Sequence, residues 1–268
     1  MKHILGLLTL AFVLAACSPN NVKVDPSLGK YFNDNKVYGT FALFNNGSGE
    51  FTVYNLARYR DSAYSPASTF KIVNSLIGLQ TGVIESDSMI IKWDGVDRGR
   101  PECNGDLSMY EAFRLSCPPY YQEVARRIGK DTMQAWLDSL AYGNKKISKI
   151  DTFWLDNSLK IRPDEQLGLV KKLYFNQLPF FKLNQEIVKR AMLFEDTPDY
   201  RLSYKTGLGK DEKGQQLAWI MGWVEENRHP YFFVLNFQTP DQNADVVGIR
   251  LHMLKGILKQ LGLLQGKG

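Results

Sequence analysis

The chain has 268 residues, 44% of them hydrophobic, and a formal net charge of +5. That length and composition fit one large globular domain or two tightly packed ones, and they exclude disordered and collagen-like chains. The basic residues are dispersed, with close pairs such as Lys145-Lys146 and Lys171-Lys172, so they read as solvated faces and not as a nucleic-acid surface.

Lys2 and the apolar stretch from Ile4 to Val13 read as an export signal over residues 1–16. Leu14-Ala15-Ala16-Cys17 places small residues before a cysteine and resembles a bacterial lipobox. That resemblance implies a lipid on Cys17 and attachment to a membrane; a plain cleaved signal is the alternative. Residues 17–30, polar and containing Pro19 and Pro26, read as a tether, and 31–268 as the folded domain. No later stretch approaches the roughly 20 apolar residues of a membrane-spanning helix.

Residues 37–44 and 50–57 read as strands joined by the turn Asn45-Asn46-Gly47-Ser48-Gly49. Pro66 opens a helix over 66–80, with Ile72, Leu76 and Leu79 near one face and Gly82 as its stop. Helical periodicity runs over 107–140, broken near Pro118-Pro119, and returns over 183–194. Three strands follow, 201–206, 216–226 and 231–238, the first two joined by the Gly-rich 207–214, and 246–263 reads as the closing helix. Strands at both ends with helices between them predict an α/β domain: an antiparallel sheet flanked by helices, built from both termini, with a mostly helical insert at roughly 90–195. Its catalytic cleft is expected at the junction.

A serine hydroxyl needs a base to become a nucleophile. His3, His229 and His252 are too few and too scattered for a zinc site, so no metal is expected, and a Ser-His-Asp triad is disfavoured. In Ser68-Thr69-Phe70-Lys71 the lysine follows by three residues, which on a helix puts both side chains on one face. A single Ser-x-x-Lys arises by chance in a chain this long; Ser27-Leu28-Gly29-Lys30 is such a case, set aside because it lies in the tether. Lys205-Thr206-Gly207 offers a second lysine at a strand end, beside a glycine that lets a substrate approach the backbone.

Taken together, Tyr64–Gly82, Lys92-Trp93-Asp94-Gly95, Tyr142-Gly143-Asn144, Phe153-Trp154-Leu155-Asp156, Lys205-Thr206-Gly207 and Gly222-Trp223-Val224-Glu225 closely resemble the class D β-lactamases (oxacillinases). The resemblance covers roughly residues 37–264. It implies the penicillin-recognising serine enzyme fold and hydrolysis of β-lactam antibiotics, conferring resistance. It also implies a periplasmic lipoprotein of a Gram-negative bacterium, working as a monomer or homodimer. Ser68 is implied as nucleophile and Lys71 as general base, carrying a carbamate derived from carbon dioxide but no separate cofactor. Ser116 and Lys205 complete the catalytic set; Thr206, Gly207, Leu208 and Arg250 bind substrate; Phe70, Pro118, Trp154 and Leu155 form the carbamate pocket.

Three positions depart from the family pattern. Pro118 replaces the valine of Ser-x-Val and removes a backbone N–H, Leu208 stands where an aromatic residue is usual, and Cys103 where many relatives carry tryptophan. Cys103 and Cys117 are read as separate thiols, because Cys117 belongs to a motif near the catalytic site; a disulfide is the alternative in an oxidising compartment. Two further readings of the whole chain are a β-lactam sensor domain, which stays acylated, and a small penicillin-binding protein.

Overall fold

A computed structural model describes residues 21–266; the expected signal segment 1–16 and Cys17 lie outside them. In chain order the elements are β1 (Val22–Val24), α1 (Gly29–Asp34), β2 (Tyr38–Asn45), β3 (Glu50–Tyr54), α2 (Leu56–Asp61), α3 (Lys71–Gln80), β4 (Ile90–Ile91), β5 (Leu107–Ser108) and α4 (Met109–Leu115). They continue with α5 (Pro118–Ile128), α6 (Lys130–Ser139), α7 (Pro163–Tyr174), α8 (Lys182–Met192), β6 (Leu193–Asp196), β7 (Tyr200–Lys210), β8 (Gln216–Glu226), β9 (His229–Thr239) and α9 (Val246–Gln260).

Seven strands form one sheet in the order β1-β3-β2-β9-β8-β7-β6. Its pairs are antiparallel apart from β1, which runs parallel to β3. The architecture expected from the sequence is therefore present: strands from both ends of the chain meet in one sheet, and α3 to α8 are inserted between them. Residues 22–28, within the segment read as a tether, belong to this body. Val22 and Val24 pair with Phe51 and Val53, and Leu28 is buried.

The central strands show why the sheet forms. Along β8, Leu217, Trp219, Met221 and Trp223 enter the core shared with α3, α5 and α7, while Ala218, Ile220 and Val224 enter the core under α9. Two buried faces make the strand almost continuously apolar, with the period of two sorting residues between them. Gly222 is required by this packing, since a Cβ there would lie 2.0 Å from the Ser203 carbonyl oxygen on β7.

Three local readings change. The helix expected over 66–80 begins as a 3-10 turn, Ala67–Phe70, before α3. The helical stretch 107–140 is three helices, parted at Ser116-Cys117 and at Gly129. The strand expected to end at residue 206 continues to Lys210, because β8 pairs with it throughout, from Tyr200 opposite Glu226 to Lys210 opposite Gln216. The turn is confined to the residues around Asp211, whose carboxylate accepts from the N–H groups of Lys213 and Gln215.

The sheet is tied to the turn that carries Ser68 by buried Trp219, which donates its indole N–H to the Ser65 carbonyl at 2.9 Å. Trp219→Phe leaves that carbonyl unpaired and is expected to cost about 1–3 kcal/mol in urea unfolding. Unchanged stability would show that the bond does not hold the turn.

Candidate active site

Ser68 lies on the 3-10 turn that precedes α3, a turn tied down on several sides. Ser65 Oγ donates to the Trp154 carbonyl at 2.7 Å, Thr69 Oγ1 to the Pro66 carbonyl at 2.6 Å, and Gln166 Nε2 on α7 to Thr69 Oγ1 at 2.8 Å. Ala67 is held at φ 47°, in the left-handed region where a non-glycine residue is uncommon. The turn leaves Ser68 partly exposed and sends Lys71 inward to 1% exposure.

Lys71 Nζ donates to Ser68 Oγ at 2.7 Å. Burial, followed by the positive charge of Arg100, pushes the Lys71 amine down to about 7. Burial disfavours the ammonium because water no longer solvates it. The amine also lies 5.5 Å from the centroid of the Tyr121 ring. Tyr121 is itself fixed from α3, with Asn74 donating to its carbonyl at 3.0 Å and its hydroxyl 2.9 Å from Ser75 Oγ. A neutral amine in contact with a reachable hydroxyl is a base poised on a nucleophile.

Ser116 and Lys205 form the second pair. Ser116 caps the C-terminus of α4 in the left-handed conformation, φ 59°, and Lys205 Nζ donates to its hydroxyl at 2.9 Å. Lys205 is as buried as Lys71, and its amine is held well below the usual lysine range by burial, then by the charges of Lys71, Arg250 and Arg100. Arg250 on α9 donates to the Gly207 carbonyl at 3.0 Å. Burial also lowers its guanidinium, to about 10, against the pull of Tyr204 and Asp245.

Gly207 makes the close approach of β7 to the serine turn possible. A Cβ there would meet the Pro66 carbonyl oxygen at 3.0 Å and Thr69 Cγ2 at 3.2 Å. Strand β6 pairs with β7 across Arg201–Ser203 only, so past that point β7 borders the site. Thr206 is half-buried there and Leu208 is exposed at 42%.

Of the four residues expected around Lys71, Phe70 and Trp154 stack at 5.5 Å between ring centroids and are fully buried. The Trp154 indole N–H is buried without a hydrogen-bond partner among the described residues. Leu155 packs against the same core, and Pro118 is half-buried at the start of α5.

Cys103 and Cys117 are joined in a disulfide, with Cα atoms 5.5 Å apart; the reading of two separate thiols is corrected. Ser116 and Cys117 do not compete, since the serine hydroxyl meets Lys205 while the neighbouring sulfur meets Cys103 from the turn Pro101–Cys103. The two cysteines that remain once Cys17 is set aside for the lipid, in a chain with an export signal, point to this pairing. Arg100, Tyr121 and Gln166 were also not singled out from the sequence. No motif spacing marks them, and only the fold brings them to the site. Asn144 bonds to Ser158 and Lys160, so it ties two loops together. Among the described residues no group of three or more His, Cys, Asp or Glu side chains is placed to hold a metal.

Residues 29–255 match the penicillin binding protein transpeptidase domain family. The chain is 38% identical to Beta-lactamase OXA-5 of Pseudomonas aeruginosa over 246 residues, 91% of this chain and 92% of that one. The structure of FUS-1 (OXA-85), a class D β-lactamase from Fusobacterium nucleatum subsp. polymorphum, matches with a TM-score of 0.85 at 32% identity, covering 91% of this chain and 100% of that one. The C-terminal domain of the Bacillus licheniformis BlaR penicillin-receptor matches with a TM-score of 0.84 at 31% identity, covering 90% and 97%. Fold and site together define a penicillin-recognising serine protein. Within that group, the chain belongs to the class D β-lactamases.

Gly207→Ala is expected to press β7 against Pro66 and Thr69. A loss of about 1–3 kcal/mol in stability and roughly tenfold in the rate at which β-lactams acylate the chain should follow, read by thermal unfolding and stopped-flow. Wild-type acylation in this variant would show that the strand-to-turn distance is not critical.

Proposed function

We propose that this chain hydrolyses the amide bond of β-lactam antibiotics through an acyl-enzyme on Ser68, with Lys71 as the base, and that it thereby confers resistance. The observation that carries this reading is the 2.7 Å contact between Ser68 Oγ and a buried lysine held down to about 7. The charge of the site supports it as well. Arg100 and Arg250 converge on the two lysines, and Arg100 is ion-paired with Glu102. Such a field favours an anionic substrate, and penicillins carry a carboxylate.

Ser68 gives its proton to the base and attacks the lactam carbonyl. The backbone N–H groups of Ser68 and Leu208 hold the developing oxyanion, a contribution of roughly 3 kcal/mol per donor. Ser116, hydrogen-bonded to Lys205, passes a proton to the departing nitrogen. Lys205, Thr206 and Arg250 hold the substrate carboxylate, and Gly207 lets the substrate lie against β7. Water then releases the acyl group from Ser68.

A carbamate on Lys71, derived from carbon dioxide, would supply an anionic oxygen base for both halves of the reaction. The residues present fit it: the Lys71 amine is buried and readily neutral, Phe70, Pro118 and Leu155 lend apolar surface, and the unpartnered Trp154 N–H is a donor awaiting an acceptor.

Leu14-Ala15-Ala16-Cys17 supports a periplasmic protein of a Gram-negative bacterium, lipid-anchored through Cys17, with residues 1–16 removed and the folded body from Val22 onward forming the catalytic domain. Cells fed a labelled fatty acid are expected to label this chain and not the Cys17→Ser variant; label retained in the variant would remove the anchor.

A second reading is favoured by the likeness to the BlaR receptor domain: a sensor that is acylated and stays so. Hydrolysis of a chromogenic cephalosporin, with and without bicarbonate, separates the two. Sustained turnover that bicarbonate stimulates is expected of the enzyme, together with a carbamate resonance in carbon-13 NMR after labelled bicarbonate. One stoichiometric burst and a stable adduct on Ser68 would establish the sensor. Lys71→Ala is expected to lower turnover by about 10²–10⁴-fold or more with an unchanged circular dichroism spectrum; normal turnover would sink the base.

A further inference from the structure

The segment between β4 and β5 touches the catalytic machinery at Arg100. Its guanidinium reaches across to the end of α4, where Nη2 donates to the Leu115 carbonyl at 2.8 Å and Nη1 to the Ser116 carbonyl at 3.1 Å. The last carbonyls of a helix lack partners within it, and a cation there meets the negative end of the helix dipole. Arg100 Nε also donates to Glu102 at 2.9 Å, which fixes the plane of the fork.

The same segment is fastened to the same place by a covalent bond. Arg100 caps the turn Pro101–Cys103, its carbonyl accepting from the Cys103 N–H at 2.8 Å, and Cys103 is bonded to Cys117, the residue after Ser116. A fork of hydrogen bonds and a disulfide, three residues apart on one strand of chain, thus grip adjacent residues on the other.

We propose that Arg100 is a positioning residue for the reaction: it clamps the carbonyls of Leu115 and Ser116, keeps Ser116 in the left-handed conformation that presents its hydroxyl to Lys205, and is itself held in place by the Cys103–Cys117 disulfide. This rests on the roles proposed above for Ser116 and Lys71. Ser116 needs such a grip because it is not glycine, and a left-handed φ of 59° persists only where the surroundings enforce it.

The charge of Arg100 has a second effect, on Lys71. The titratable and charged groups around Lys71 are Tyr121 from α5, Lys205 from β7 with Arg250 behind it on α9, and Arg100. Arg100 disfavours the protonated Lys71 amine. Removing that charge lets the amine take a proton more readily, so the acid limb of activity moves to higher pH. The Arg100 side chain is 41% exposed, so salt should damp the shift.

Two substitutions separate clamp from charge. Arg100→Ala removes both. It is expected to lower kcat about tenfold with little change in KM and, at low salt, to raise the acid limb of kcat/KM by roughly half a pH unit. Arg100→Lys keeps the charge but cannot span two carbonyls. It should show the same loss in kcat with the limb in its wild-type place. The double variant Cys103→Ser/Cys117→Ser should lose kcat in part, also without moving the limb. Circular dichroism and Tm verify that each variant is folded.

Wild-type kcat in folded Arg100→Ala, or full recovery of kcat in Arg100→Lys, overturns the clamp. Failure of the functional reading looks different: the wild-type chain itself would neither turn over nor acylate at Ser68.

Discussion

A lysine serves as a base near neutral pH only if its surroundings deny it both water and an acidic partner, and the structure around Lys71 is organised by that requirement. The fall from the ordinary 10.5 to about 7 amounts to about 5 kcal/mol against the protonated form. Between those two values the unfolded chain binds a proton that the folded chain does not, so this site lowers stability progressively as pH falls from 10.5 to 7. The rest of the fold offsets that cost. Phe70, the residue before Lys71, stacks with Trp154 in the buried core, α5 brings Tyr121 over the amine, and the sheet holds the serine turn through Trp219 and Ser65. A carboxylate against Lys71 would relieve the strain and remove the base.

The second buried lysine follows from the same logic but does other work. Lys205 faces Ser116 and shares its surroundings with Lys71 and Arg250. Cations brought this close depress one another. On the proposed reading, the positive charge that remains would favour a substrate carboxylate. On the proposed roles the task divides by element: the turn before α3 supplies the nucleophile, the first residue of α3 the base, the α4–α5 junction the relay, β7 and α9 the anion contacts. The large central sheet and its two cores keep these four pieces at fixed separations.

Much of this was legible in the sequence because the chemistry is local. Ser68 and Lys71 are three residues apart, so one turn suffices to bring them together, and Lys205-Thr206-Gly207 lies on a strand whose alternation is plain. What depended on distant contacts was hidden. Arg100 stands between two turn-forming residues, Gly99 and Pro101, with nothing in its spacing to mark it, and it matters only because the chain returns to it at Leu115 and Ser116. Helix α7 went unread, although Arg162 and Glu165 cap its start, and with it Gln166, which steadies Thr69. The glycines at 207 and 209 argued for a loop. They lie in a strand because another piece of backbone, around Pro66 and Ala67, packs against it.

Pro118 shows how a departure from a family pattern can be structurally mild. A proline deprives its residue of an N–H and fixes φ near −65°. In the middle of an extended segment that would break a hydrogen bond. Here Pro118 is the first residue of α5 and Pro119 the second, positions whose N–H groups have no partner within the helix in any case. The substitution therefore removes nothing the helix uses, and it stiffens the junction between Ser116 and α5. Beside it, Cys117 carries the disulfide to Cys103. Pro118 on one side of Cys117 and left-handed Ser116 on the other leave this junction little freedom, so Arg100, Cys103 and Pro118 all bear on one short segment and are best understood together.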